Sequence, residues 1–139
     1  MIIGTQAYAC EGNDARRQNR ALEALASLSG VTAVNLQWPD EIVHRAGLRT
    51  LPALTIDSRT VTKCPGVRKP IARDVLDALA AVARAEGHRY FCHLNSDIVV
   101  TPAAVDVIAS AGKQGYAFSR LDVDASGQPV EMLLYGVDM

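Results

Sequence analysis

The sequence predicts an α/β protein, a three-layer α/β/α sandwich on a mainly parallel sheet. Three observations carry that prediction. Short apolar runs alternate with amphipathic stretches along the chain, as successive βα units do. Glycines and prolines such as Gly30, Gly87 and Pro102 fall where those stretches would stop or start. The 139 residues suffice for one domain with a substantial core, so residues 1–139 read as a single α/β domain.

The elements follow in order. MIIGTQAYA is short, apolar and followed by a polar cluster, as a buried strand would be. In EGNDARRQNRALEALASLSG, Asn13 or Asp14 is placed to cap a helix, Ala21, Leu22, Leu25 and Leu28 share one face, and Gly30 ends it. VTAVNLQW, rich in β-branched and apolar residues, is a second strand. Pro39-Asp40 then opens a short, weakly helical stretch through Arg45, and LPALTID gives a third strand ending at Asp57. Residues 58–69, SRTVTKCPGVRK, show neither period and read as the longest loop. Pro70 suits the first position of a helix whose stripe is Ala72, Val75, Leu76, Leu79, Val82 and Ala83, with Gly87 as its stop. YFCHL is a fourth strand, and Thr101-Pro102 starts a helix running to about Gly112. GYAFSRLDV and PVEMLLYGV read as two closing strands about a Ser126-Gly127 turn.

Composition narrows the function classes. Hydrophobic residues at 49% and charged ones at 21% match an ordinary folded domain, which sets aside disordered, collagenous and membrane-spanning chains. With 14 basic and 15 acidic residues, net charge gives no case for nucleic acid or an anionic membrane as partner, so any phosphate recognition must be local. Cys10, Cys64 and Cys92 are too far apart for a zinc or redox pair and read as thiols in a reducing compartment. No basic leader precedes Met1-Ile2-Ile3, and no apolar run approaches membrane-spanning length. The expectation is a cytoplasmic protein.

In α/β sheets ligands bind beyond the carboxyl ends of the strands, here at Thr5 and Tyr8, Trp38 and Asp40, Asp57, and Asn95 with Asp97. There is no GxGxxG turn and no phosphate-loop signature, and no acidic pair of the receiver type follows the first strand. Asn95-Ser96-Asp97 stands at the exit of an apolar strand. Asp97 there could hold a hard divalent cation that in turn carries phosphate oxygens, with Asn95 adding an amide oxygen or binding a sugar hydroxyl. An Asx turn that needs no ligand is the competing account. Arg59, Lys63, Arg68 and Lys69 gather ahead of a helix start that already favours anions, or else form a solvated basic loop. His93 reads as a core or sheet-face histidine, and Trp38 and Tyr8 as packing residues or stacking platforms.

These residues resemble the nucleotide-sugar-dependent glycosyltransferases of the GT-A fold (nucleotide-diphospho-sugar transferase-like), in particular the family-2-like branch. LNSDIVVTP is similar to an Asp-x-Asp-type motif with Asn first, RRQNRALEALASL to the family's first helix, and GVRKP to the entry of the long helix before the motif. SRLDVD and YGVDM resemble segments that follow the motif in some members. The resemblance implies binding of a nucleotide-diphosphate sugar and transfer of the sugar to a hydroxyl acceptor. It implies Thr5 and Asp57 on the base or ribose, Arg68 and Lys69 on the diphosphate, Asn95 and Asp97 on the ribose and a Mn²⁺ or Mg²⁺ ion, and Asp138 as catalytic base. Gln37-Trp38-Pro39-Asp40 stands where the family commonly has an acidic cluster, and the chain reads as a truncated or minimal donor-binding half. An exposed edge in the closing strands would favour homo-oligomers. A non-catalytic nucleotide-binding or assembly domain and a sugar-nucleotide pyrophosphorylase are the alternatives, the latter lacking its glycine-rich loop after the first strand.

Overall fold

The computed structural model describes residues 1–63 and 66–110. Strands β1 (Ile2–Thr5), β2 (Thr32–Leu36), β3 (Arg49–Leu51) and β4 (Phe91–His93) form one all-parallel sheet in the order β3-β2-β1-β4. Helices α1 (Gly12–Ala26), α2 (Ser58–Thr62), α3 (Ala72–Ala85) and α4 (Pro102–Ser110) complete the described chain. No described helix is long and apolar enough to cross a membrane.

The central strand explains the layering. Every β1 residue is buried, as expected of a parallel strand covered on both faces. Ile2, with Val34 and Leu36, packs against Val75, Leu79 and Ala83 of α3, whereas Ile3, with Ala33, packs against Leu22 and Leu25 of α1 and Val105 of α4. Fully burying a side chain such as Leu79 stabilises by about 1.5–3 kcal/mol. Gly4 lets α3 come this close, because a Cβ there would lie 2.3 Å from Leu79 Cδ2. Gly87 leaves the end of α3 with φ +70°, the left-handed turn a glycine stop provides.

Several boundaries differ from the sequence expectation. α1 starts at Gly12 with Glu11 at its cap and no side-chain cap bond, two and three residues before Asn13 and Asp14. The stretch after Pro39 is not helical: Glu41 N bonds to Trp38 O (3.1 Å), and beyond it the buried side chains of Asn35 in β2 and Gln37 just after it hold the Val43 backbone. β3 covers Arg49–Leu51 rather than LPALTID, since Pro52 has no N–H to continue the ladder. The following backbone is satisfied elsewhere: Leu54 N reaches Gln37 O, and Thr55 N and Ile56 N donate to Asp74 Oδ2 at 2.7 and 2.9 Å. Five residues of the expected loop form α2, capped by Asp57, whose carboxylate accepts from Thr60 N at 2.8 Å. Leu76 is exposed rather than part of the buried stripe. The two closing strands and Asp138 lie outside the described residues.

Candidate functional site

All four strands run the same way, so their carboxyl ends share one edge of the sheet. The chain proceeds outward from β1 to β2 and β3, then returns to the other side of β1 for β4. The loops leaving β1 and β4 therefore flank a topological switch point, where open α/β sheets leave a crevice. A cleft of about 800 Å³ lies there. Its walls are Gln6–Ala9 after β1, Gln37 and Trp38 after β2, Gly66–Pro70 with the start of α3, and His93–Asp97 at the end of β4.

The β4 wall is built by its backbone. Leu94 N makes the last bond to Gly4 O (3.1 Å), and the turn beyond is closed by Ile98 N donating to Asn95 O at 3.2 Å. The exposed side chains of Asn95 and Asp97 make no hydrogen bond or ion pair among the described residues, while Ser96 is buried between them. An Asx turn would require one of those side-chain oxygens to accept a nearby N–H. Neither does. Across from them, partial burial pushes the Tyr8 hydroxyl above its usual pKa, and negative charge at Cys10, Asp14 and Asp97 adds to the shift.

The opposite wall is cationic. Lys69 and Arg59 line the cleft without an ion pair among the described residues. α3 begins behind them at Ala72 with Ile71 as an uncapped entry, so first-turn amides and the positive end of the helix dipole add to the wall. Asp74 of that turn faces away, bonded to Thr55 and Ile56. Partial burial works to raise its pKa, but the Ile56 and Thr55 amides and the Thr55 hydroxyl outweigh it and hold the carboxyl below the usual range.

Arg68 also lines the cleft, yet its charge is already engaged. Its Nε donates to Asp57 at 2.8 Å, and its Nη1 meets Asp40 at 3.0 Å and Glu41 at 3.3 Å. Its guanidinium lies 4.2 Å above the Trp38 ring. Trp38, only 3% exposed, is a wall residue packed into the core beneath this cation, not a platform open to a base. The Thr60 amide foremost, then the Thr60 hydroxyl and Arg68, hold the Asp57 carboxyl below the usual range. Asp57 thus caps α2 and anchors Arg68, and it does not line the cleft.

Compared with known proteins, the chain matches no protein-family model, no curated sequence and no solved structure. The geometry alone therefore sorts the expected residues. Asn95, Asp97, Arg68 and Lys69 share the cleft. Thr5 is completely buried on the face turned to α1, so it contacts no cleft ligand. Among the described strands, Asp57 and Asp97 belong to loops from the two outermost, β3 and β4, rather than from neighbours.

The sequence reads His93 as a core or sheet-face histidine; it is exposed and lines the cleft two residues before Asn95, at the strand period, with its imidazole held below its usual pKa by partial desolvation. Asn35 and Gln37, which sequence pattern did not assign to the site, hold the Gln6–Ala9 wall from behind. Asn35 Oδ1 accepts from Ala7 N (2.9 Å) and its Nδ2 donates to Val43 O (2.6 Å). Gln37 Nε2 donates to Ala7 O (2.8 Å), and its Oε1 accepts from Val43 N (3.0 Å). Their signal was two amides at alternate positions of an otherwise apolar strand.

Among the described residues no three His, Cys, Asp or Glu side chains form a metal cage. Asp97 and Asn95 offer one carboxylate and one amide oxygen, both hard donors. That set fits an ion of the Mg²⁺ or Mn²⁺ kind, which completes its shell with water and phosphate oxygens.

Proposed function

We propose that this cleft binds a nucleotide-diphosphate sugar together with Mn²⁺ or Mg²⁺, and that the protein is a GT-A-type glycosyltransferase domain passing the sugar to a hydroxyl acceptor. The observation that carries the reading is the opposition of the two walls. The oxygens of Asn95 and Asp97, uncommitted among the described residues, face a wall of cations likewise uncommitted there, Lys69 and Arg59, at an uncapped helix start. A diphosphate with its counter-ion has that polarity.

Asp97 and Asn95 would hold the metal, which when bound supplies positive charge beside the phosphates. Lys69, Arg59 and the first amides of α3 bind the terminal phosphate oxygens, where negative charge grows as the bond between the sugar's anomeric carbon and the diphosphate oxygen breaks. Arg68 keeps this wall in place through Asp57, Asp40 and Glu41. Asp138 is the proposed base for the acceptor hydroxyl.

The test is a binding panel of UDP-, GDP-, ADP- and dTDP-sugars with Mn²⁺, followed by incubation of the tightest donor to detect release of free sugar. Metal-dependent binding with slow sugar release supports a transferase domain. Binding without release supports a nucleotide-binding module instead, and no binding below millimolar concentration removes the proposal.

A further inference from the structure

The face of the sheet turned to α1 becomes polar at its upper end. Thr5, Gln18 and Asn35 are completely buried there. Thr5 stands opposite Asn35 in the strand register, and Gln18 descends from α1 to accept a hydrogen bond from Arg45 Nη2 at 2.9 Å. Asn35 reaches Val43, two residues before Arg45. One layer thus gathers residues from β1, α1, β2 and the segment after β2.

Most polar atoms of this layer have protein partners. Three do not: Thr5 Oγ1, Gln18 Nε2 and Arg45 Nε are buried without one. Gln18 Nε2 and Arg45 Nε can only donate, the Thr5 hydroxyl can donate or accept, and a polar atom removed from water without any partner is strongly penalised. Buried polar groups of this kind are ordinarily met by an ordered internal water with two to four polar partners.

We infer that an internal water molecule occupies this layer, accepting from Gln18 Nε2 and Arg45 Nε and donating to Thr5 Oγ1. The water is part of the scaffold behind the cleft. Arg45 Nη2 also bonds to Tyr8 O at 3.2 Å, and Asn35 and Gln37 grip both sides of the Ala7 peptide. The segment Gln6–Ala9 is therefore held from behind by a layer that the water completes. Thr5 acts there as a positioning residue, and the inference does not depend on which ligand the cleft takes.

Thr5→Val removes the hydroxyl and keeps the shape. With the water present, the substitution breaks a three-way bridge and lowers the melting temperature by roughly 3–8 °C, while Thr5→Ser keeps the hydroxyl, loses only the buried methyl and falls by less than Thr5→Val. With an isolated hydroxyl and no water, Thr5→Val is neutral or stabilising, because an unsatisfied polar atom has been exchanged for an apolar one. Independently of any variant, nuclear Overhauser contacts between a long-lived water and the Gln18 side-chain amide are expected in the wild-type protein. Absence of those contacts, or a Thr5→Val protein at least as stable as wild type, overturns the inference. So does a melting temperature that rises with chloride but not with gluconate at equal ionic strength and fails to do so in Thr5→Val, since that assigns the layer to an anion.

Discussion

Replacing Asp97 by Asn tests the cleft at its most exposed assumption. The structure fixes what the change does to folding: the Asp97 side chain is exposed and makes no hydrogen bond or ion pair among the described residues, and its turn is closed by the backbone bond from Ile98 N to Asn95 O. Stability should stay within about 0.5 kcal/mol of wild type. Binding should not. The substitution keeps the shape and one oxygen donor but removes the negative charge that would hold the metal. Losing a charge-assisted interaction of roughly 1.5–3 kcal/mol lowers affinity about ten- to a hundredfold. The assay is calorimetric titration of both proteins with UDP and GDP, with and without Mn²⁺. The loss should appear only in the arm containing metal. Equal affinities in that arm would show that the carboxylate holds no ion, and the reading of the cleft as a metal-diphosphate site would go with it.

Three further outcomes follow from the packing. Gly4→Ala drives a methyl into Leu79 and should reduce stability by about 1–3 kcal/mol in urea unfolding, with much of the loss recovered on a Leu79→Ala background; an additive double variant would count against the close approach. Arg68→Met should lower the melting temperature and shift the emission of Trp38, the chain's one tryptophan, to longer wavelength, whereas an unchanged spectrum would mean the ring is held without its cation. Asp57 and Asp74 have depressed folded-state pKa values and so bind fewer protons folded than unfolded below about pH 4. Their contribution is complete above that pH and is lost as pH falls through the folded values, so Asp74→Asn should flatten the acid arm of a stability profile measured from pH 7 to 2.5; an acid arm as steep as wild type would refute the linkage.

The alternation of apolar runs and amphipathic helices made the parallel α/β character legible, because buried strands such as Ile2–Thr5 leave a continuous apolar signature. The polar exit Asn95-Ser96-Asp97 and the cation Lys69 were legible as cleft residues for a related reason: strand ends and helix starts in this architecture meet at one edge. Failures came where tertiary partners override local pattern. Nothing within residues 39–45 says that Asn35 and Gln37 will capture the Val43 backbone, so a weak helical tendency was the local best guess. Arg68 and Lys69 look equivalent in sequence, and only the arrival of Asp40 and Glu41 from a distant turn separates a committed cation from an available one. The short helix α2 had a readable signal, Asp57 three residues before Thr60, but no apolar period to draw attention to it.

The position of β1 bears on how the protein folds. Its pairing with β2 joins Ile2 to Thr32 through one helical excursion, whereas its pairing with β4 joins Ile2 to Phe91 across most of the described chain. Closing the larger loop sacrifices more chain entropy before any contact rewards it, so β1, α1 and β2 are placed to assemble early and β4 to dock late. The Asn95–Asp97 turn travels with β4. The cleft consequently comes into being at the final docking step, and a nascent chain that has not yet secured β4 has its cationic wall without the oxygens that face it.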